Sequence, residues 1–308
     1  MSSDYALVTS ALGKRYGRGW ALRDCTLHLP AGRVAALVGP NGAGKTTLLH
    51  LAVGLLQPTA GSVEVFGRAP FEQPHEVLPR IGFLAQDHPL YKGFTVADTL
   101  TLGRKLNPRW DDGPARARLQ QLGIPLNRRV GKLSGGQQAQ VALAVAIAKQ
   151  PDLLLLDEPV ASLDPLARRE FLRALTDAAS RSGLTVLLSS HILADLEQVC
   201  DYLIILSASR VQLAGDIAEI VRQHRLVTVP RQDAPVVAAA HAAIETSYGG
   251  RDATLLLRTE RMPDNPAWQT REATLEEIVL AYLSQSPEDV ARMAAPAVAH
   301  EPMEEASR

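Results

Sequence analysis

Residues 39–47 have the types and spacing that bind phosphate. They read Gly-Pro-Asn-Gly-Ala-Gly-Lys-Thr-Thr, in which a glycine is followed by four residues and then by Gly-Lys-Thr. Because glycine has no Cβ, such a loop lets backbone N–H groups approach phosphate oxygens closely. We expect Lys45 to contact the β- and γ-phosphates of a nucleotide and the Thr46 hydroxyl to ligate Mg²⁺. The candidate nucleotide contacts are Gly39, Asn41, Gly42, Ala43, Gly44, Lys45, Thr46 and Thr47.

The segments on either side of this loop have the pattern that a phosphate site requires. The apolar run Val34–Val38 predicts a strand buried on both faces of a parallel sheet. After the loop, apolar residues recur with the spacing of one helix face, at Leu48, Leu51, Ala52 and Leu55. Together these elements aim backbone N–H groups and the positive end of a helix at an anion. They favour a nucleotide site over an ordinary glycine turn.

Two neighbouring carboxylates, Asp157 and Glu158, follow the apolar run Leu153–Leu156, which predicts another buried strand. At the carboxyl edge of a parallel sheet, beside the phosphate loop, Asp157 is placed to hold Mg²⁺. Glu158 is placed to polarise an attacking water. The alternative is that both acids only cap a helix beginning at Pro165, and the apolar run before them disfavours it.

Other polar residues also stand at the ends of predicted strands and helices. Gln86 ends a predicted strand, and His191 follows the apolar run 184–190, at the same sheet edge as Lys45. A lone histidine is most often structural, but this position favours a phosphate contact. The stretch Ser134-Gly135-Gly136-Gln137 opens an apolar helix, and it is either a second anion cradle or a simple N-cap.

Two further residues are of interest because they lie in predicted turns or loops. Tyr16 lies in the turn 16–19, upstream of the phosphate loop, where its ring could face a purine base. The residues alone favour the plainer interpretation of a partly exposed turn tyrosine. Asp164 lies in a short polar loop that follows the two carboxylates.

The composition excludes several classes of protein. Lys and Arg total 32 against 33 Asp and Glu, so the net charge is −1, and no basic stripe indicates a nucleic-acid partner. Apolar runs such as Leu153–Leu156 are too short to span a bilayer, and the N-terminus lacks the pattern of a signal peptide. Cys25 and Cys200 are isolated, as free thiols in a reducing cytosol are. We expect a cytoplasmic protein whose membrane role comes through a partner.

Changes in pattern along the chain predict its organisation. Residues 1–222 form one large α/β unit, into which a polar, helical segment is inserted at about 87–135. Residues 223–284 predict a small α+β appendix, with strand, helix and strand at 226–229, 236–244 and 253–257. Two capping boxes, Thr95 with Asp98 and Thr274 with Glu277, predict helix starts. Residues 285–308 lose periodicity and predict a disordered tail.

The order of these motifs resembles an ABC transporter ATP-binding subunit over residues 5–220. The resemblance rests on the phosphate loop, Gln86, the Leu-Ser-Gly-Gly-Gln stretch 133–137, the acid pair, Asp164 and His191. It implies a P-loop NTPase of the ABC cassette type, with an antiparallel β subdomain and an inserted helical subdomain. The cofactors it implies are ATP and Mg²⁺.

The resemblance also assigns roles to residues. It implies that Glu158, His191, Gln86 and Lys45 act in catalysis, and that Thr46, Gln86 and Asp157 hold the metal. A second cassette, of the same or a different chain, packs head to tail and faces the site with its own stretch Ser134, Gly135, Gly136 and Gln137. Tyr16 matches the family's adenine-stacking aromatic residue, and Asp164 matches the loop between the two sites.

The implied function is ATP hydrolysis that drives a separate membrane permease. Residues 274–278, Thr-Leu-Glu-Glu-Ile, resemble the C-terminal extension of the drug- and antibiotic-exporting branch, which favours export. The alternatives are a soluble ABC ATPase acting on ribosomes or DNA, and a regulatory ATPase. The chain has one cassette and lacks heptad repeats and cysteine clusters, which disfavours an ATPase acting on ribosomes or DNA. Every catalytic position is filled, which disfavours a purely regulatory role.

Two stretches depart from the family's pattern. Many relatives have a basic residue where this chain has Gln138-Ala139-Gln140, and Thr and Gly are common where it has Val160-Ala161-Ser162. Neither departure removes a group that is expected to touch phosphate, so we expect an active enzyme. Leu90, Tyr91 and Phe94 are expected to receive a short permease helix at the start of the insert, whereas Phe83 is expected in the core.

Overall fold

The computed structural model describes residues 4–190, 192–241, 243–259, 265 and 267–285. His191 and the part of the predicted tail beyond residue 285 lie outside the described residues. Within this part of the chain, none of the helices has the length and apolar content needed to cross a bilayer.

The described elements alternate between strands and helices along most of the chain. The strands are β1 (Tyr5–Tyr16), β2 (Gly19–Pro30), β3 (Val34–Val38), β4 (Ala60–Val65), β5 (Ile81–Leu84), β6 (Leu153–Leu156), β7 (Thr185–Ser190), β8 (Tyr202–Ser207), β9 (Arg210–Asp216), β10 (His224–Pro230), β11 (Ala243–Tyr248), β12 (Asp252–Arg258) and β13 (Gln269–Glu272). The α-helices are α1 (Lys45–Ala52), α2 (Pro74–Val77), α3 (Val96–Leu106), α4 (Gly113–Gln121), α5 (Gly135–Ala148), α6 (Pro165–Ser182), α7 (Leu193–Leu196), α8 (Ile217–Arg222), α9 (Ala234–His241) and α10 (Leu275–Ser284).

The central sheet has the strand order β5-β6-β7-β3-β8-β9, and its strands are parallel except for the β8–β9 hairpin. The predictions of buried parallel strands are confirmed, since every residue of β6 and β7 is buried. Because β3, β5 and β6 run in the same direction, their carboxyl ends lie at one edge of the sheet. That edge carries the phosphate loop, Gln86 and the acid pair.

A second sheet, β2-β1-β4, is antiparallel and shares a core with α1 and the central sheet. Leu48, Leu51 and Ala52 of α1 are buried in this core, as predicted. The prediction for Leu55 is wrong, because α1 ends at Ala52 and Leu55 is 62% exposed. Gly54, with φ of 78°, turns the chain away before the helix can complete another turn.

The helical insert contains α3 and α4, and these pack with α5, which lies just beyond the predicted insert, around a core of their own. Both predicted features of α3 are confirmed: it ends at Leu106, and Thr95 and Asp98 form a capping box. Leu90 packs against this core and also against the core of the central sheet, so it joins the insert to the rest of the chain. Leu90 is therefore half-buried between two cores rather than part of an exposed groove.

The C-terminal appendix contains a third sheet, antiparallel, with the order β11-β12-β10-β13. The predicted order of elements in the appendix is partly wrong. Ile244 belongs to β11 and not to a helix, and β13 was not predicted. One face of the sheet packs on α9, and the other shares a core with α10 and the central sheet. At this junction the buried His224 lies 3.2 Å from the Tyr282 hydroxyl and 2.6 Å from the Ile220 carbonyl.

Candidate functional site

The phosphate loop joins β3 to α1 and turns tightly on its own backbone. The Ala43 N–H donates to the Pro40 carbonyl at 3.1 Å. Gly44 caps α1 with φ of 107°, a left-handed conformation that favours glycine. The loop therefore exposes Asn41, Gly42 and Thr46 above the first turn of the helix.

Two glycines of the loop are required by contacts with the protein itself. A Cβ on Gly39 would lie 2.1 Å from the Leu206 carbonyl oxygen, and one on Gly44 would lie 2.4 Å from the Ala21 carbonyl oxygen. By contrast, a Cβ on Gly42 would meet nothing within 4 Å. Gly39 packs closely on β8, and Gly44 packs closely on β2. Both positions therefore require glycine for a reason that is separate from the approach of phosphate.

A cavity of about 440 Å³ opens above this loop. It brings Gln86 and Glu158 together with the phosphate loop, although these segments are far apart in sequence. Its lining residues are Gly39, Pro40, Asn41, Gly42, Gly44, Lys45, Thr46, Gln86, Glu158 and Ala161. Ala43 is buried and Thr47 half-buried, and neither lines the cavity.

Lys45 is buried at the floor of this cavity. Its ammonium donates to the Gly39 carbonyl at 2.8 Å and to the Pro40 carbonyl at 3.4 Å. The same Nζ lies 3.5 Å from Glu158 Oε1. The three oxygens satisfy an ammonium that has little access to water, as a buried charge requires.

Ser189, at the end of β7, positions the two carboxylate residues, and sequence reasoning missed it. Its hydroxyl donates to Asp157 Oδ1 at 2.8 Å and accepts from the Glu158 N–H at 2.8 Å. Ser189 and Asp157 are both buried. The signal in the sequence was a hydroxyl inside the apolar run 184–190, at the strand end nearest the predicted site.

Glu158 has a backbone conformation that is rare for its residue type. Its φ is +47°, in the left-handed region, where a side chain with a Cβ is strained. The conformation turns the chain sharply at the end of β6, so Asp157 is buried while Glu158 lines the cavity. Neighbouring carboxylates in sequence thereby acquire different environments.

Among the described residues, the other predicted nucleotide contacts do not line this cavity. Ser134 is exposed and caps α5, and Gln137 completes its capping box. Asp164 is exposed and caps α6 by accepting from the Leu166 and Ala167 N–H groups at 3.0 Å. Tyr16 is 53% exposed, and Lys14 Nζ lies 5.6 Å from its ring centre.

The predicted metal ligands suit Mg²⁺ by their chemistry. Among the described residues, no group of three or more His, Cys, Asp or Glu side chains could hold a metal by itself. Thr46, Gln86 and Asp157 instead offer a hydroxyl, an amide oxygen and a carboxylate. Mg²⁺ prefers such oxygen ligands, and its remaining ligands are usually waters and phosphate oxygens. Thr46 and Gln86 line the cavity, and Asp157 directly precedes Glu158. These residues fit the ion.

Comparison with known proteins agrees with this geometry. The family described as ABC transporter matches residues 22–161. The bacitracin transport ATP-binding protein BcrA of Enterococcus faecalis is 29% identical over 266 residues, 86% of each chain. The sulfate/thiosulfate import ATP-binding protein CysA 2 of Chromobacterium violaceum is 32% identical over 87% of this chain and 78% of its own length. A solved ATP-binding subunit of an ABC transporter superimposes with a TM-score of 0.64 and 28% identity, over 71% of this chain and 92% of that chain.

The central sheet, the phosphate loop and the acid pair define a P-loop ATPase of the cassette type. With the relatives just described, the chain belongs to the family of ABC transporter ATP-binding subunits. The predicted fold class is confirmed, and so is ATP hydrolysis as the activity of the family.

Proposed function

We propose that this chain binds ATP with Mg²⁺ in the cavity above the phosphate loop and hydrolyses it to drive a separate membrane permease. The observation that carries the proposal is the convergence of Lys45, Gln86 and Glu158 on that one cavity. Lys45 contacts the β- and γ-phosphates, and Glu158 takes the proton of the attacking water. Thr46, Gln86 and Asp157 would hold Mg²⁺, and the ion would offset negative charge on the phosphate oxygens. His191 is assigned a phosphate contact by its place in the sequence, directly after β7, and by the family resemblance.

Binding requires an exchange of partners at Lys45. Its ammonium leaves the Glu158 carboxylate and bonds the more highly charged phosphates, and this frees Glu158 to accept a proton from water. Ser189 holds the Glu158 backbone and the Asp157 side chain, so the acid pair stays in place during the exchange. The left-handed turn keeps the Glu158 side chain directed into the cavity.

Nucleotide affinity tests this assignment directly. Lys45→Ala removes a buried charge that bonds phosphate, and such a bond is worth ~1.5–3 kcal/mol, so we expect ATP affinity to fall at least ~10-fold. Lys105→Ala, at the exposed end of α3, is the control and should bind ATP normally. Affinity is measured by equilibrium titration of the full chain. Equal affinities for the two variants would remove Lys45 from the site.

We further propose that two cassettes close head to tail over ATP. Ser134 and Gly135 are exposed and do not line the cavity of their own chain, which supports a site completed by a second copy. The N-terminus of α5 would then bring its free N–H groups to the γ-phosphate of the partner's nucleotide. Asp164, six residues after Glu158 and at the N-cap of α6, would lie between the two sites.

Gly135→Arg separates closure from ATP binding. A Cβ at Gly135 would meet nothing within 4 Å in the isolated chain, and the Ser134 cap is kept, so the fold and ATP affinity should be unchanged. The arginine should block the closed dimer. Gln120→Arg, exposed on α4 of the same insert, is the matched control. ATP-dependent dimerisation of the Gly135→Arg variant in a hydrolysis-deficient background, seen by light scattering, would contradict the head-to-tail arrangement.

The permease is proposed to dock beside the phosphate site, and the direction of transport is proposed to be export. Tyr91 and Phe94 are 65% and 38% exposed, with ring centres 5.1 Å apart, at the start of the insert that follows Gln86. Export is supported by the resemblance of residues 274–278 to the C-terminal extension of the exporting branch. The chain would then lie on the cytoplasmic face of the membrane. The direction of transport is measured by comparing uptake and efflux of a substrate in inverted membrane vesicles.

Membrane recruitment tests the docking surface of Tyr91 and Phe94. Tyr91→Ala with Phe94→Ala should leave ATP binding and basal hydrolysis intact while co-sedimentation with permease-containing membranes falls. Tyr248→Ala, which removes a comparably exposed ring from the appendix, is the control. Full sedimentation of the double variant, or loss of its ATPase activity in solution, would place the docking surface elsewhere.

A further inference from the structure

A charged cluster joins the insert to the central sheet at the amino ends of β5 and β6, opposite the edge that carries the phosphate loop. Its centre is the carboxylate of Asp152, which directly precedes β6. Arg80, which directly precedes β5, donates to Asp152 Oδ2 at 2.5 Å. Arg109, in the loop between α3 and α4, has both terminal nitrogens 3.3 Å from Oδ1. Each carboxylate oxygen therefore binds one arginine, and one of the two arginines belongs to the insert.

The backbone around Asp152 is part of the sheet and gives Arg109 a rigid point of attachment. The Asp152 N–H donates to the Arg80 carbonyl at 2.8 Å, and its carbonyl accepts from the Thr185 N–H at 3.1 Å. Arg109 Nη2 also donates to the Gln150 carbonyl at 2.6 Å. The guanidinium is thus held by a carboxylate and by a backbone carbonyl of one fixed segment.

The contact between α4 of the insert and α6 is not closely packed. Another cavity of about 440 Å³ lies among α4, α5 and α6, with small apolar residues such as Ala115 and Ala174 in its walls. Arg118 Nη2 donates to the Glu170 carbonyl at 2.9 Å and provides a polar contact between α4 and α6. A cavity forfeits the packing contacts that fix one helix against another. The orientation of α4 therefore depends on polar contacts with the rest of the chain.

The orientation of the insert determines where the N-terminus of α5 lies. This helix packs in the core of α3 and α4 and also in the core of the central sheet. Its last residue, Ala148, accepts a hydrogen bond from the Asp111 N–H at 2.8 Å, next to the charged cluster. Ser134 and Gly135 lie at its other end, and its 14 residues make it ~21 Å long. A tilt of ~10° about one end would displace the other by ~4 Å, which is beyond the reach of a hydrogen bond.

We propose that Arg109 and Asp152 are positioning residues: their ion pair fixes the insert, and α5 with it, in the orientation that lets Ser134 and Gly135 meet the partner's nucleotide. The proposal rests on the head-to-tail closure proposed above. Neither residue of the pair lines the cavity above the phosphate loop. The pair should therefore act on closure and turnover and leave the ATP affinity of the single chain unchanged.

The test compares two arginines of the insert that form ion pairs of the same kind. Arg109→Ala removes the contact with the central sheet, whereas Arg104→Ala removes a pair with Asp112, at 2.6 Å, that lies within the insert. Arg109→Lys keeps the charge and a donor. For each full-length variant, thermal unfolding, ATP affinity, and the kcat and KM of ATP hydrolysis are measured. ATP-dependent dimerisation is measured by light scattering in the Glu158→Gln background.

We expect Arg109→Ala to weaken ATP-dependent dimerisation and to lower kcat, each by at least ~5-fold, the lower end of typical coupling between two sites. Its ATP affinity should stay within about 2-fold of the wild-type value. Arg109→Lys should recover part of the loss, and Arg104→Ala should behave as the wild type. Equal dimerisation and kcat in Arg109→Ala and Arg104→Ala would overturn the proposal, as would a fall in ATP affinity as large as the fall in kcat.

The distance between two spin labels reports the orientation of the insert directly. The labels are attached to Gln120→Cys on α4 and Glu64→Cys on β4, both exposed, in the full chain with Cys25→Ser and Cys200→Ser. The distribution of distances should broaden or shift when Arg109→Ala is added. An unchanged distribution would overturn the proposal.

The same measurements distinguish failure of this proposal from failure of head-to-tail closure. If Gly135→Arg blocks the dimer while Arg109→Ala dimerises as the wild type does, only the role of Arg109 fails. If Arg109→Ala changes the label distances but Gly135→Arg still dimerises, the pair fixes the insert and the head-to-tail arrangement is wrong. With Arg104→Ala, the label distances should equal those of the wild type, and an equal change in both variants would contradict the special place of Arg109.

Discussion

Lys45 Nζ lies 3.5 Å from Glu158 Oε1, and the two side chains are only 7% and 11% exposed. The predicted phosphate contact and the predicted general base are therefore paired with each other. A buried ion pair is stabilising only when hydrogen bonds satisfy the remaining groups, and two carbonyls of the phosphate loop do so for Lys45. The arrangement predicts that nucleotide binding and activation of the base are one event.

Glu158→Gln should separate ATP binding from hydrolysis. Glutamine keeps the shape and hydrogen bonding of glutamate but is not basic, so hydrolysis should fall by ~10²–10⁴-fold. ATP affinity should be equal or higher, because Lys45 no longer has to leave a charged partner. Glu64→Gln, exposed on β4, is the control in steady-state assays and titrations. Wild-type turnover by Glu158→Gln would refute the assignment of the base.

Two glycines of the phosphate loop should respond differently to alanine. Both have positive φ, which costs an alanine ~1–2 kcal/mol, but only Gly44 is also crowded, with the Ala21 carbonyl oxygen 2.4 Å from an added Cβ. We expect Gly44→Ala to lower the free energy of unfolding distinctly more than Gly42→Ala, as measured by urea titration without nucleotide. Equal losses would mean that backbone conformation, and not packing against β2, decides the requirement for glycine at position 44.

Gln140 should be a stabilising position for an apolar residue. It is 4% exposed, and neither of its amide atoms has a partner among the described residues. A buried polar group without a partner costs ~1–3 kcal/mol, so Gln140→Met should raise the free energy of unfolding by about 1 kcal/mol. At Gln138, where Nε2 donates to the Leu133 carbonyl at 2.9 Å, the same change should lower it. Denaturant titration measures both, and a loss of stability at Gln140 would indicate a partner that the amide satisfies.

Glu277 should make the appendix sensitive to acid. Its bond to Arg271, and the capping bonds to Thr274, lower the pKa of Glu277 from 4.5 to about 2. Because the folded-state pKa is depressed, the stabilisation is present above pH 4.5 and is lost as the pH falls towards about 2. The pair is partly exposed and screened, so Glu277→Gln should cost only about 1 kcal/mol at neutral pH. Unfolding curves of both proteins should converge in acid, and a constant difference would exclude the carboxylate as the cause.

Tyr16 should bind the base of the nucleotide by stacking, since its exposed ring ends β1 in a turn. Stacking does not depend on the hydrogen-bonding edge of a purine, so Tyr16→Ala should weaken ATP and GTP binding alike, while Tyr16→Trp should be tolerated. Titration with both nucleotides measures this. A loss confined to ATP would indicate readout of its base edge instead.

The strands and motifs of the cassette could be predicted because their signals are local. An apolar run such as Leu153–Leu156 can satisfy its backbone and bury its side chains only inside a sheet, and the capping boxes at Thr95 and Thr274 specify helix starts within four residues. The sheet edge of the phosphate loop and the acid pair was expected from strand direction, and Lys45, Gln86 and Glu158 line one cavity there. The appendix was harder, because the polar edge strand β13 has no periodic signal.

By itself, then, the sequence determined that this is a nucleotide-binding cassette and which residue types its site contains. Only the tertiary structure decided how those residues are held, because the contacts join segments that are distant along the chain. Ser189 reaches Asp157 from a neighbouring strand, and Lys45 reaches Glu158 from the phosphate loop. Likewise, Gly39 is required by the Leu206 carbonyl of β8. The positions of such pairs in the sequence do not predict these contacts, because each contact depends on how segments distant in sequence pack together.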